Sequence, residues 1–233
     1  MRILLTDTTW NMAIFAKELR SAGFFVSEAA DGAEVMEFAR NGQQDAIVID
    51  PDLPDGDAMD LVRRLRALDQ HIPIVLLSRN VTDEDLTRAV AQGADDFLRW
   101  PDHGVEEIMA RLRAYIRRAS GYCTPVIRTG DLEIDLNTQS VRFDGVTVHL
   151  TRLEYELVET MVLRNGALIS REEIMLQLYA WQDEPDAKII DVYICRIRAK
   201  MAAAGAVDDV IVTNFAQGYR LAVLTAEASP LAA

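Results

Sequence analysis

The chain has 233 residues, a formal net charge of −13 and a composition that is 50% hydrophobic. That length favours two domains, each able to bury a core, and the acidic balance argues against a uniformly basic nucleic-acid binder while leaving a local basic patch open. No charged-then-apolar leader and no apolar run of membrane-spanning length is present, so a cytoplasmic protein without a membrane partner is expected. Cys123 and Cys195 are far apart and in no metal-ligand spacing, and both are read as packing residues.

Through residues 1–118, short apolar runs alternate with segments of helical period. The runs are RILLT (2–6), FFVSEA (24–29), AIVID (46–50), IPIVLLS (72–78) and DDFLRW (95–100). Between them Leu61, Leu65 and Leu68, and later Ile108, Leu112, Tyr115 and Ile116, recur at helical spacing. Five strand–helix units in series predict an α/β doubly wound, flavodoxin-like parallel sheet of five strands. The central runs lack polar alternation, as strands covered on both faces should. In such a sheet ligands gather beyond the carboxyl ends of the strands. Asp50 ends the third run, just before the turn-forming PDLPDG, and is placed at that edge.

RRASGYCTPVI (117–127) breaks this rhythm, and residues 119–127 are read as a linker. Residues 128–224 are built differently, as a smaller α+β domain. GDLEIDL and SVRFDGVTVHL alternate apolar and polar residues, and Asp144-Gly145 signals a hairpin. Three helices should follow. Thr151 with Glu154 and Ser170 with Glu173 fit capping boxes, and Pro185 suits the first turn of the third helix. VIVT, NFAQG and YRLAVL read as a closing hairpin, and residues 225–233 as a frayed tail.

In the third helix Ile190, Ile194, Ile197 and Met201 recur at i, i+4, i+7 and i+11, which predicts one buried stripe. Tyr193, Arg196 and Lys200 are predicted to share a solvent-facing side. A helix packed on one side and basic, with an aromatic, on another can enter a major groove; the same residues also suit an ordinary solvated face.

With these stretches in place, the chain apart from its tail resembles response regulators of the OmpR/PhoB family, in which a receiver domain precedes a winged-helix DNA-binding domain. VIRTGDLEIDL, VHLTRLEYELVE and DEPDAKIIDVYICRIRAKM carry the resemblance, which is collinear over both domains. It implies that Asp50 is the phosphoacceptor position, Ser78 the switch hydroxyl and Phe97 the switch aromatic. It implies a recognition helix over 186–201, with Lys188, Tyr193, Arg196, Arg198 and Lys200 on double-stranded DNA, and a wing carrying Phe215 and Gln217. It further implies a homodimer through the fourth helix, fifth strand and fifth helix, where Asp95, Asp96, Glu107, Arg111 and Arg113 offer opposite charges. A sensor kinase and RNA polymerase are the other partners of such a regulator.

The receiver departs from its family where the chemistry is done. A working receiver ends its first strand in two adjacent acids that hold Mg²⁺ with the phosphoacceptor; here Asp7 matches the first, and Thr8 stands in place of the second. The lysine that pairs with the phosphoryl group is replaced by Trp100, before Pro101. Mg²⁺ is held through carboxylates and phosphate oxygens, and phosphoryl transfer relies on such cations, so metal binding by Asp7 and Asp50 should be weak or absent and phosphorylation lost. The alternative is a conventional two-component regulator phosphorylated on Asp50, with Mg²⁺ as cofactor and Asp52 supplying a backbone ligand. Arg79 either reaches the Asp50 carboxylate or points into water. The wing departs as well: Phe215 stands where an arginine is usual, and Ala216 where a glycine is common.

Other classes fit less well. Asp50-x-Asp52 superficially matches the nucleophile and acid of haloacid-dehalogenase-type phosphatases, but it ends a third strand and Pro54 occupies the Thr or Val position, so no enzyme is expected. A winged helix that binds another protein is the remaining rival.

Overall fold

The computed structural model describes residues 1–40, 44–179, 186–207 and 209–222. The chain divides into two compact units, Met1–Gly121 and Tyr122–Ala233.

In the first unit β1 (Arg2–Thr6), β2 (Phe25–Ala29), β3 (Ala46–Ile49), β4 (Ile74–Ser78) and β5 (Asp96–Arg99) form one five-stranded sheet in the order β2-β1-β3-β4-β5. Every pairing is parallel. The helices are α1 (Trp10–Ser21), α2 (Gly32–Arg40), α3 (Ala58–Leu68), α4 (Asp83–Ala91) and α5 (Val105–Ala119). Contacts join α1 to α5 and run from α2 through α3 to α4, the grouping of a sheet covered on both faces. That is why Ile3, Leu4, Leu5, Ile47, Val48, Ile49 and Ile74 are buried without alternation. Leu61 and Leu65 lie in the core as the periodicity predicts, whereas Leu68, in the last turn of α3, is largely exposed. Local signals start the helices: Asp57 Oδ1 accepts from Met59 N at 2.7 Å, and Thr82 and Asp85 close a capping box.

The second unit opens with an antiparallel sheet of β6 (Val126–Thr129), β7 (Leu132–Asp135), β8 (Ser140–Phe143) and β9 (Val146–Val148). Val126 and Ile127, assigned to the linker from the sequence, are thus strand. Asp144 and Gly145 turn from β8 to β9 with φ of 45° and 77°, the left-handed pair that a tight hairpin requires. Next come α6 (Arg152–Leu163), α7 (Arg171–Tyr179) and α8 (Lys188–Ala203), then the hairpin of β10 (Ile211–Asn214) and β11 (Gly218–Leu221). Glu154 accepts from Thr151 N at 2.7 Å, and Ser170 and Glu173 cap each other's backbone N–H groups at 3.1 and 2.8 Å. Ile190, Ile194, Ile197 and Met201 are all buried, as their spacing predicts. Pro185 and the tail lie outside the described residues. Both cysteines are free and exposed, which corrects the packing role expected for them; Cys195 lies on the outer side of α8, away from its buried stripe.

Candidate functional site

Asp50 follows β3 directly, and its side chain is held at both oxygens although it is only 4% exposed. Thr9 Oγ1 donates to Asp50 Oδ2 at 2.7 Å, and Asp52 N donates to Oδ1 at 3.0 Å. Behind it, Asp50 N donates to the buried Thr6 Oγ1 at 2.7 Å. Thr9 also caps α1, accepting from Met12 N at 3.4 Å. Neither threonine was singled out from the sequence. For Thr9 the signal was its place three residues before Met12, the first of the helical period Met12, Phe15, Ala16 and Leu19, where an N-cap hydroxyl is strongly preferred.

A cavity of about 150 Å³ opens beside Asp50, with Thr9, Asp52, Ser78, Arg79 and Trp100 among its walls. Asp7 and Thr8 are not among those lining residues. Asp7 is exposed, and Thr8 Oγ1 is buried without a hydrogen-bond partner among the described residues. The Trp100 ring centroid stands 5.5 Å from that of Phe15, with the rings tilted by 54°. Arg79 is exposed and makes no hydrogen bond or ion pair with Asp50, so the pairing considered for it is not formed. Phe97 is buried in the core and lines a neighbouring cavity of about 320 Å³ with Asp52 and Ser78. The donor set fits Mg²⁺ poorly: Asp50 and Asp52 are the carboxylates among the cavity's lining residues, and hydroxyl and amide donors already engage both oxygens of Asp50.

The charges assigned to the dimer face separate into three groups. Arg111 reaches Asp96 at 3.2 Å and Glu107 at 2.8 Å, and Tyr115 Oη donates to Asp96 Oδ2 at 2.6 Å. The Glu107 hydrogen bond is the chief cause of a raised Arg111 pKa. Asp95 instead binds Arg66 of α3 at 2.8 Å, and the Arg113 guanidinium lies 4.7 Å from the Phe24 ring centroid. Asp96, Glu107 and Arg111 are therefore together; Asp95 and Arg113 belong to other contacts.

On α8 the charges also sort themselves. Arg196 is exposed and has no hydrogen bond or ion pair among the described residues, and Lys188 is exposed with Asp186 3.8 Å away. Lys200 Nζ donates to the buried Glu154 at 2.6 Å. Burial works to raise the Glu154 pKa, but the bonds from Lys200 and Thr151 outweigh it and hold it below the ordinary range. Arg198 donates to Ile211 O at 2.6 Å and to Thr213 Oγ1 at 2.8 Å. Tyr193 Oη shares a 2.7 Å hydrogen bond with Tyr179, whose pKa burial and that bond push up to about 12. The predicted solvent-facing trio is thereby corrected: Tyr193 and Lys200 flank the buried stripe and are half-buried, and of the three only Arg196 is exposed. Val192, Cys195 and Ala199 complete the outer face. In the hairpin, Phe215 and Gln217 are both exposed.

Residues 3–113 match the response regulator receiver domain family, and residues 145–221 match the family of C-terminal domains of transcriptional regulatory proteins. The cell cycle transcriptional regulator CtrA of Caulobacter vibrioides is 36% identical over 222 residues, which span 95% of this chain and 96% of that one. The cell cycle response regulator CtrA of Brucella anthropi is also 36% identical, over 95% of both chains. Among solved structures, the Thermotoga maritima OmpR/PhoB homologue DrrB is 23% identical over 94% of this chain and 98% of that chain, with a TM-score of 0.43. With identity running continuously through both matched domains, the chain belongs to the OmpR/PhoB family of DNA-binding response regulators.

Proposed function

We propose that this transcriptional regulator binds double-stranded DNA as a homodimer and does so without phosphorylation of Asp50 or bound Mg²⁺. The observation that carries the reading is the state of Asp50: a threonine hydroxyl and a backbone amide engage its oxygens, with Trp100 in the wall where a cation would be needed. Phosphoryl transfer depends on charge neutralisation at the transferred group, and these neutral donors supply little of it. On this reading a sensor kinase delivers no phosphoryl group, the protein is not an enzyme, and its place is the cytoplasm, where RNA polymerase is the partner met on DNA. Dimerisation falls to the α4-β5-α5 face. There Leu86 and Val90, one helical turn apart on α4, are 36% and 50% exposed, and Asp96, Glu107 and Arg111 add polar partners.

The test is incubation with acetyl phosphate or beryllofluoride and Mg²⁺, followed by intact mass and gel-shift titration. No stable adduct and unchanged DNA affinity are expected. A stoichiometric Mg²⁺-dependent adduct that is lost in Asp50→Asn and tightens DNA binding would establish the conventional phosphorylated regulator instead.

A further inference from the structure

Phe215 is 93% exposed at the tip of the β10–β11 hairpin, and it stands in an uncharged setting. Asn214, Ala216 and Gln217 surround it, so residues 214–217 carry neither a base nor an acid in a chain of net charge −13. The tip is rigidly mounted. Tyr219 and Ile169 exchange backbone hydrogen bonds of 2.9 Å in both directions, and a Cβ on Gly218, at φ +141°, would come within 2.0 Å of Ile169 O. Tyr219 Oη donates to Asp191 of α8, which Arg171 also holds at 3.1 Å while its guanidinium lies 5.0 Å from the Tyr219 ring centroid. From the other side, Arg198 of α8 binds both Ile211 O and Thr213 Oγ1 in β10. These bonds tie both strands of the hairpin to α8, so the backbone that carries Phe215 is anchored to the helix that carries Arg196.

We infer that Phe215 is an apolar wedge for the DNA minor groove, inserted at a base step a fixed distance from the bases met by α8. The inference rests on α8 being the DNA-reading helix. An uncharged tip cannot bind by releasing counterions from phosphates, but it also carries no acid to repel them. An exposed aromatic ring beside an exposed amide, Gln217, suits the floor of a minor groove: the amide meets base-edge acceptors and the ring enters a partly unstacked step. A wedge is effective only on a stiff mount, because a mobile one would fold away rather than open a step. Flexible pyrimidine–purine steps open most easily, so the wedge also selects sequence at a position that no hydrogen bond reads.

The test uses the full chain and a duplex selected by it from a random-sequence pool. The duplex carries end-labels for energy transfer and 2-aminopurine scanned through the site. The selected pool should show a TA or TG step at constant spacing, and binding should raise the fluorescence there and bend the duplex. Phe215→Ala should bind roughly tenfold more weakly and lose both signals, as expected for a lost stacking contact. Phe215→Leu should keep them. Phe215→Arg should recover affinity without unstacking, with a log–log salt slope steeper by about one. An identical bend and fluorescence rise in Phe215→Ala overturns the wedge and leaves the ring to a protein partner. If Arg196→Ala abolishes binding while Phe215→Ala changes nothing, the wedge alone falls; if the wild-type chain selects no duplex, the DNA-reading role of α8 falls with it.

Discussion

Thr9 and Asp50, 41 residues apart in the chain, are joined by a 2.7 Å hydrogen bond from the Thr9 hydroxyl to Oδ2. One side chain thus starts α1 and steadies a nearly buried carboxylate. A hydrogen bond to a charged group contributes about 1.5–3 kcal/mol, and an N-cap about 1 kcal/mol. Thr9→Val should therefore lower the unfolding free energy by about 2 kcal/mol in a urea titration, and Thr9→Ser should restore most of it. A Thr9→Val protein as stable as the wild type would mean that the hydroxyl does not hold Asp50.

This bond also marks the limit of what the sequence shows. The sheet was legible because both faces of its central strands are covered, so Ile47, Val48 and Ile49 carry an uninterrupted apolar signal. The α8 stripe was legible because period 3.6 fixes which residues are buried. Periodicity gives direction around a helix but does not name partners. Lys200 reads as a free cation until α6 brings Glu154 beneath it, and Arg198 until the hairpin folds its carbonyl onto the guanidinium. Arg111 and Asp96 suggest charges waiting for a second copy, yet they meet within one chain. The threonines around Asp50 are neutral, so no pattern of acids and bases in the sequence marks them, and only the fold brings Thr6 and Thr9 to its side.

The two basic positions on α8 should separate by experiment. Arg196 is exposed, and a bidentate base contact is worth roughly 1–3 kcal/mol of discrimination, so Arg196→Ala should lose specific DNA binding with an unchanged melting temperature. Lys200→Met should do the reverse first, lowering the melting temperature because a buried carboxylate loses its partner. Undiminished operator affinity in Arg196→Ala would remove this residue from the DNA surface.

The same pair sets a pH dependence. The folded-state pKa of Glu154 lies below its ordinary value of 4.5: burial opposes this, and the hydrogen bonds from Lys200 and Thr151 overcome it. A depressed carboxylate contributes stability that is fully present above the unfolded pKa and is lost as pH falls through the folded one. With the Lys200 side chain 35% exposed, its share is about 1–2 kcal/mol. Melting curves of wild type and Lys200→Met should differ most near pH 7 and converge as the pH drops below 4.5. A gap that persisted undiminished at pH 3 would assign the stabilisation to packing of the lysine stem.

Self-association should depend on the apolar turn of α4 more than on the ion pairs. Leu86 and Val90 are exposed, whereas Arg111 is already satisfied by Asp96 and Glu107. Leu86→Asp should give monomers by sedimentation without a loss of secondary structure, since exposed charged pairs set register more than affinity. Dimers that survive both Leu86→Asp and Val90→Asp would place the interface elsewhere.

On the proposed reading Thr8 and Trp100 stand in place of an acid and a base that phosphoryl transfer to Asp50 needs, so Thr8→Asp with Trp100→Lys should produce a Mg²⁺-dependent adduct with beryllofluoride. Trp100 contacts Phe15, so its replacement also opens the cavity wall, and some loss of stability should accompany the gain. Thr9 supplies the control. Its hydroxyl occupies a lone pair of Oδ2, and adding Thr9→Val to the pair should increase the yield of adduct if that bond competes with the incoming group. Thr9→Val alone should yield none, because freeing the carboxylate supplies no cation. If the double substitution takes up beryllofluoride, two positions suffice to separate this receiver from a phosphorylated one. If the triple variant remains inert under intact-mass analysis, the restriction lies in the shape of the cavity rather than in its charges.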